Sequence, residues 1–280
     1  MPAAAFGLLP FAVYVLLFLA LPTLIAVGTG FVGTDGGYTL DTVAALGDPV
    51  VLAAFGSSIW LSALTAIIGA VVGALVCYAL LGARIGGALR STVDSLSSVI
   101  AQFGGAMLAF AFTATIGIQG MVTLLLQERL GIDFFADGVW LYELPGLVLP
   151  YIYFQVPLMI ITFMPALASL KTTWAEANAT LGGTARTYWL RIGLPVLAPS
   201  FLGSLLLLFA NAFSSYATAA TLISQGAQIV PLQIRSALTS ETMLGRENLA
   251  GALALGMILV MTVVMIGYSR LASRAARWQR

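Results

Sequence analysis

Six apolar windows, none holding an Asp, Glu, Lys or Arg, dominate this chain: Leu8–Phe31, Ile59–Leu81, Leu96–Ile118, Leu147–Leu170, Pro199–Leu222 and Leu249–Tyr268. A helix needs about 20 apolar residues to cross roughly 30 Å of hydrocarbon, and each window meets that length. Only 8% of residues are charged and 60% are hydrophobic, against about 25% charged in a soluble domain. Such a chain cannot hide its apolar surface from water, so lipid is its solvent. The expected fold is all-α: a polytopic membrane protein with six transmembrane helices in a single domain, residues 1–280.

Several functions are excluded early. A net charge of +1 gives no field suited to nucleic acid. Histidine is absent and Cys77 is the only cysteine, which rules out a disulfide framework and opposes a zinc site. The single lysine, Lys171, follows no glycine-rich loop, so the chain has no phosphate-binding loop. No cofactor is expected.

The first window lacks a basic flank and a small-residue cleavage site and is long for a signal peptide. It reads as a retained helix, with a few further cytosolic residues expected ahead of Met1. The third window runs on into a polar-poor stretch ending near Leu126, as one longer helix or as a span followed by a short interfacial helix.

Basic residues orient the spans. With a cytosolic N-terminus, the inside segments hold Arg84, Arg90, Lys171, Arg186, Arg191, Arg270, Arg274, Arg277 and Arg280, and the outside segments hold Arg129, Arg235 and Arg246: nine against three. The acids Asp35, Asp41, Asp48, Glu128, Asp133, Asp137 and Glu143 fall outside. Both termini are therefore expected inside, with the C-terminal arginines resting on anionic lipid. The outer connections are 31–56, 119–145, partly amphipathic, and 224–248, broken by Pro231. No repeat and no low-complexity linker is visible.

Between spans four and five lies a polar, basic loop, EANATLGGTARTYWLRIGLPVLA from Glu176 to Ala198. Thr173 and Glu176 have capping-box spacing, so a helix is expected to start near Trp174. Gly182 and Gly183 end it. Thr184 caps a second short helix, and Pro195 stops that one where the chain re-enters the membrane. Two short helices with a glycine elbow make a compact knob.

This loop resembles the EAA motif of the membrane subunits of bacterial binding-protein-dependent ABC importers. That motif has Glu-Ala-Ala, a Gly four residues later, and Ile-x-Leu-Pro after nine more. Glu176, Ala177, Gly182, Ile192, Leu194 and Pro195 match it, and Asn178 replaces the second Ala. The resemblance covers nearly the whole chain: YIYFQVPLMIITFMPALASL, LLLLFANAFSSYATAATLI and the closing ENLAGALALGMILVM look like the polyamine, opine, phosphonate and ferric-iron branch more than the sugar branch. It implies a coupling helix lodged in a cleft of a cytosolic ATPase dimer, with Glu176 meeting a basic group there. It also implies a second permease, identical or homologous, an extracytoplasmic solute-binding protein, and ATP hydrolysis on a separate subunit, so that the chain itself is no enzyme. The location implied is the inner membrane, and the cargo a polyamine, phosphonate or opine, with sugar or ferric iron as alternatives.

Polar residues within spans are candidates for a translocation path: Gln102 in span three, Gln155 in span four, and Asn211, Ser214, Ser215 and Thr218 on one expected face of span five. Each alone is also what a helix–helix hydrogen bond requires. Two other classes weigh less. An ion-coupled carrier needs buried acids, histidines or broken-helix ion sites, and no window holds an ionisable group. An intramembrane protease needs a histidine or metal ligands. Orientation is testable directly: with Cys77 replaced by Ala, Trp174→Cys should react with an impermeant maleimide in inside-out vesicles and stay unlabelled in intact cells.

Overall fold

The computed structural model describes residues 2–33, 36–82, 87–136, 138–223, 229–239 and 247–276. Asp35, Arg84, Asp137, Arg246, Arg277 and Arg280, which bear on orientation, lie outside the described residues, as does the side chain of Arg274. The described chain is all-α, with one isolated bridge between Val32 and Tyr38. Six helical stretches are long and apolar enough to span: Leu8–Thr29, Pro49–Gly82, Gly105–Leu130, Leu144–Ala168, Ala185–Leu222 and Asn248–Ser273. The protein is a multi-pass membrane protein.

The chain divides into two compact units. In the first, Met1–Gly56 with Ala227–Met261, α1 (Pro2–Val15) passes through a π turn at Leu16–Ala20 into α2 (Leu21–Thr29). Pro10 removes one donor from α1, and no residue of Leu16–Thr29 is buried. The chain then turns into the single-turn α3 (Asp41–Ala44) and α4 (Pro49–Ala79). This α4 starts ten residues before the expected Ile59. Asp48 caps it, accepting the Val50 N–H at 3.0 Å, and Pro49 stands at the first helical position, where its missing donor costs nothing. Gly56, the end of the outer loop expected from sequence, is helical, as are Ser57 and Ser58, and Ser58 is buried.

At the far end of the chain, α13 (Val230–Thr239) and α14 (Glu247–Ala276) complete the helices of this unit. Pro231 opens α13 rather than breaking it, because a proline in the first turn gives up a donor that is unused there. A small core joins Val51, Ala54, Val230 and Leu253. Asn248 donates to the Val32 carbonyl at 2.7 Å, and Gln233 donates to the Val50 carbonyl at 3.3 Å. Gly30 and Gly251 let two backbones touch: a Cβ on Gly30 would sit 2.6 Å from the Ala252 nitrogen, and one on Gly251 would strike the Ala26 carbonyl.

The second unit is Ser57–Gly226 with Thr262–Arg280. Where one third span is expected, two helices stand: α5 (Ala88–Gln102) and α6 (Gly105–Ile116), separated by an extended Gly104 and by Gly105 at φ +68°. The Phe-Gly-Gly run breaks the ladder because glycine adopts a left-handed φ at little cost. A turn leads to α7 (Met121–Leu130), ended by Gly131 in the same conformation. Two 3₁₀ turns follow before α8 (Val148–Ala168), which carries Pro157 and Pro165. Next come α9 (Thr172–Thr180), α10 (Ala185–Tyr188), α11 (Leu194–Phe213) and α12 (Ala217–Leu222).

At the centre of this unit, α8 packs against α5 and α11, and α6 packs against α12. On α4, Thr65, Gly69, Gly73 and Cys77 recur every four residues and so share one face. A Cβ on Gly69 would lie 2.8 Å from the Gln155 Cβ, and one on Gly73 2.6 Å from the Met159 Cβ. Cys77 Sγ lies 3.8 Å from the Ile160 carbonyl. Such close approach is how helices associate where lipid removes the hydrophobic drive between them. Gly251→Val should force the α2–α14 crossing apart at a cost of about 1–3 kcal/mol, seen as a lower melting temperature in detergent. Gly28→Val, where a Cβ meets nothing within 4 Å, should leave that temperature unchanged.

Candidate functional site: the inter-span loop and the broken helices

The chain leaves α8 by a tight turn, with Ser169 N–H donating to Pro165 O at 3.2 Å and Leu170 N–H to Leu167 O at 3.3 Å. Lys171 is the N-cap of α9, and the Trp174 N–H closes the first turn on the Lys171 carbonyl at 3.1 Å. The expected capping box is therefore absent. The helix starts before Thr173, so Thr173 and Glu176 sit inside it rather than at its end. Glu176 is exposed, and its carboxylate accepts no hydrogen bond from a described residue.

The elbow forms as the sequence predicts. Gly182 takes φ +75° just beyond α9, and Gly183 N–H donates to Asn178 O at 2.8 Å. Thr184 caps α10, accepting the Thr187 N–H at 3.3 Å. Asn178, which reads as a mild departure from the motif, acts as a strut across the elbow, its Nδ2 donating to the Thr184 carbonyl at 3.1 Å. A Cβ on Gly183 would collide with that side chain.

Pro195 does not stop the second helix. The helix continues through a π turn at Trp189–Gly193 into α11, with Pro195 in the first turn of α11. The Leu194 N–H reaches the Trp189 carbonyl, so the ladder is already shifted by one residue where the proline lacks its donor. Ala177 and Ile192 come together here. With Trp174, Asn178, Leu181 and Val196 they line an open concavity of about 290 Å³. Leu194 is exposed and Pro195 half-buried.

The expected polar face of span five is not continuous. α11 ends at Phe213, Ser214 Oγ turns back to the Ala210 carbonyl at 2.9 Å, and α12 begins only at Ala217. Paired serines compete for backbone groups and so favour a break. Asn211 and Ser214 are exposed, Ser215 is half-buried and Thr218 is buried. The Ser215 carbonyl freed by the break accepts the Tyr151 hydroxyl at 3.0 Å. The two breaks meet: the Cβ position of Gly105 lies 3.4 Å from the Ala217 Cβ. Gln102, exposed, ends α5 beside the first break instead of sitting within a span.

Gln155 is fully buried and donates to Thr65 Oγ1 at 2.8 Å. Thr65 in turn donates to the Leu61 carbonyl at 2.8 Å. The four-residue recurrence of Thr65, Gly69, Gly73 and Cys77 was the available signal for this seam. Among the described residues, Gln155 Oε1 and Thr218 Oγ1 are buried without a hydrogen-bond partner, and no cluster of metal-binding side chains occurs.

No protein-family model matches the chain. It is 28% identical over 171 residues, 60% of its length, to a protein of Marchantia polymorpha named as a probable sulfate transport system permease protein. A protein of the same description from Anthoceros angustus is 24% identical over 172 residues. The matches span 56% of the length of each of these relatives. Among solved structures, a bacterial ABC transporter involved in import of the acidic polysaccharide alginate shares the fold with a TM-score of 0.74 at 17% identity, over 97% of this chain and 95% of that one. The inward-facing MetNI methionine ABC transporter matches with a TM-score of 0.57 at 12% identity, over 81% of this chain and 96% of that one. The fold is thus one found in ABC importers, and the polyamine, opine and phosphonate branch finds no support among these relatives.

Gly182→Ala should strain the elbow by about 1–2 kcal/mol, the cost of a left-handed φ at a residue with a Cβ. Amide exchange across α9 should then quicken by a factor of roughly 5–30, measured by hydrogen–deuterium exchange.

Proposed function

We propose that the chain is the membrane subunit of a binding-protein-dependent ABC importer of the inner membrane, carrying sulfate or a similarly small oxyanion into the cytoplasm. The observation that carries this reading is the braced two-helix loop between spans four and five. Asn178 and Thr184 brace it with hydrogen bonds, and it offers an exposed acid, Glu176, that pairs with no described residue. In this reading the whole chain, 1–280, is one importer membrane domain with both termini in the cytosol. The coupling helix, α9, with Ala177 and Ile192 in the wall of the concavity beneath it, lodges in a cleft of a separate ATPase dimer that performs the hydrolysis. A second permease subunit, identical or homologous, completes the path, and a solute-binding protein delivers cargo on the outer side.

The choice of cargo follows the two curated relatives, both described as probable sulfate permeases. The chemistry agrees with it. No acid lies in the six apolar windows to repel an anion, while Gln102, Ser214, Ser215 and Thr218 gather at or beside the paired breaks with Asn211 nearby. α6 also starts there without a side-chain cap, so its first N–H groups offer partial positive charge. Gln155 serves as a brace between α4 and α8 that keeps those helices together as access alternates.

The test uses proteoliposomes holding the complete importer. Radiolabelled sulfate should accumulate only with internal ATP and the binding protein, and spermidine should not compete. ATP-driven uptake of spermidine or a sugar instead would overturn the cargo. Glu176→Ala should insert normally and yet lose uptake to background, and wild-type uptake by that variant would overturn its coupling role.

A further inference from the structure

Beneath the loop, at the ends of three spans, the second unit has an apolar groove of about 580 Å³. Leu75 and Tyr78 of α4, Leu167 of α8, and Trp189, Leu197 and Phe201 of the re-entering helix are among its walls. Water filling it would find almost no partner, and even an apolar cavity of about 150 Å³ stays dry and takes hydrocarbon. The rim is different. Tyr78 is 53% exposed and stands edge-on to Trp189, ring centres 5.2 Å apart. A phenol and an indole together mark the level where hydrocarbon gives way to headgroups.

Charge identifies the occupant. Arg191 is exposed and lies between Trp189 and Leu194, both lining residues, and Lys171 follows Leu167 by four positions and is also exposed. Arg186 adds a third exposed cation to the same loop. Among the described residues the one ion pair is Arg90 with Asp94, so these three cations pair with no described acid. A hydrocarbon slot with an aromatic rim and exposed basic groups in the adjoining loop matches one molecule better than a protein helix: a phospholipid with an anionic headgroup. We infer that this groove binds the acyl chain of an anionic phospholipid, with Arg191 holding its phosphate. The wall includes the π turn that joins the loop to span five, so the lipid sits at the joint that any force from the loop must cross. The inference is independent of what the transporter carries.

Native mass spectrometry of the detergent-solubilised complex tests it, with added phosphatidylglycerol and phosphatidylcholine of identical acyl chains. The wild type should retain phosphatidylglycerol preferentially. Arg191→Gln, a change at an exposed side chain, should lower that retention roughly fivefold, as expected for one lost basic charge near a membrane surface, and leave phosphatidylcholine unaffected. Ala74 of α4 is a further wall residue, and Ala74→Trp, which fills the groove, should abolish retention of both. Equal retention of the two lipids by the wild type, or retention unchanged in both variants, would overturn the assignment. So would dissociation of the permease pair by Ala74→Trp, because the groove would then be a subunit interface.

Discussion

A backbone polar group that leaves its helix inside hydrocarbon has no water to turn to, and each such group must find a partner within the protein. This constraint organises the second unit. The chain is broken between α5 and α6, at the entry to span three, and within span five at Ser214–Tyr216, and Gly105 and Ala217 at these breaks lie against one another. Some groups at the break are satisfied locally: the Ser215 carbonyl accepts from Tyr151, and the Ser215 N–H donates to the Ala212 carbonyl. Irregular backbone at membrane depth is tolerated where it is buried in protein or lines a cavity, and exposed Ser214 beside buried Thr218 places this region at such a boundary.

Holding the breaks in register requires a rigid neighbour, and the α4–α8 seam provides one. Its glycines bring the two backbones close, and the Gln155–Thr65 bond crosses the contact. Such bonds contribute about 0.6 kcal/mol on average within a membrane, less than their burial suggests. Close packing therefore carries the seam, and the hydrogen bond fixes its register. The two prolines of α8 remove donors from that helix, leaving its side chains to hold it against α4.

Six spans, the glycine elbow and the Thr184 cap are legible in sequence because each rests on local chemistry: hydropathy over a window, a left-handed glycine, a hydroxyl before a helix. The start of α4 is hidden because the polar Gly56–Ser58 stretch masks Asp48-Pro49, although Ser58 is buried. The break between α5 and α6, inside the expected window Leu96–Ile118, is hidden because hydropathy averages over Phe103–Gly105, and apolar composition does not report backbone angle. The face expected from Asn211 to Thr218 assumes a helix that its own serines interrupt. The capping box fails for a related reason: the turn after α8 sets the start of α9, and spacing alone does not see that turn. For Asn178 the motif offers only a comparison with alanine, and the Thr184 carbonyl six residues on is the missing information.

That asparagine has an evolutionary corollary. Its amide occupies the space where a side chain at position 183 would project, while its hydrogen bond ties the two short helices together. Neither position is free to drift alone. A descendant that restored alanine at 178 would open room at 183 but lose the tie. One that gained a side chain at 183 while keeping the amide would push the loop open. The two sites should therefore change in concert, and their joint identity would distinguish lineages that stiffen this elbow with a side chain from those that leave it to the backbone.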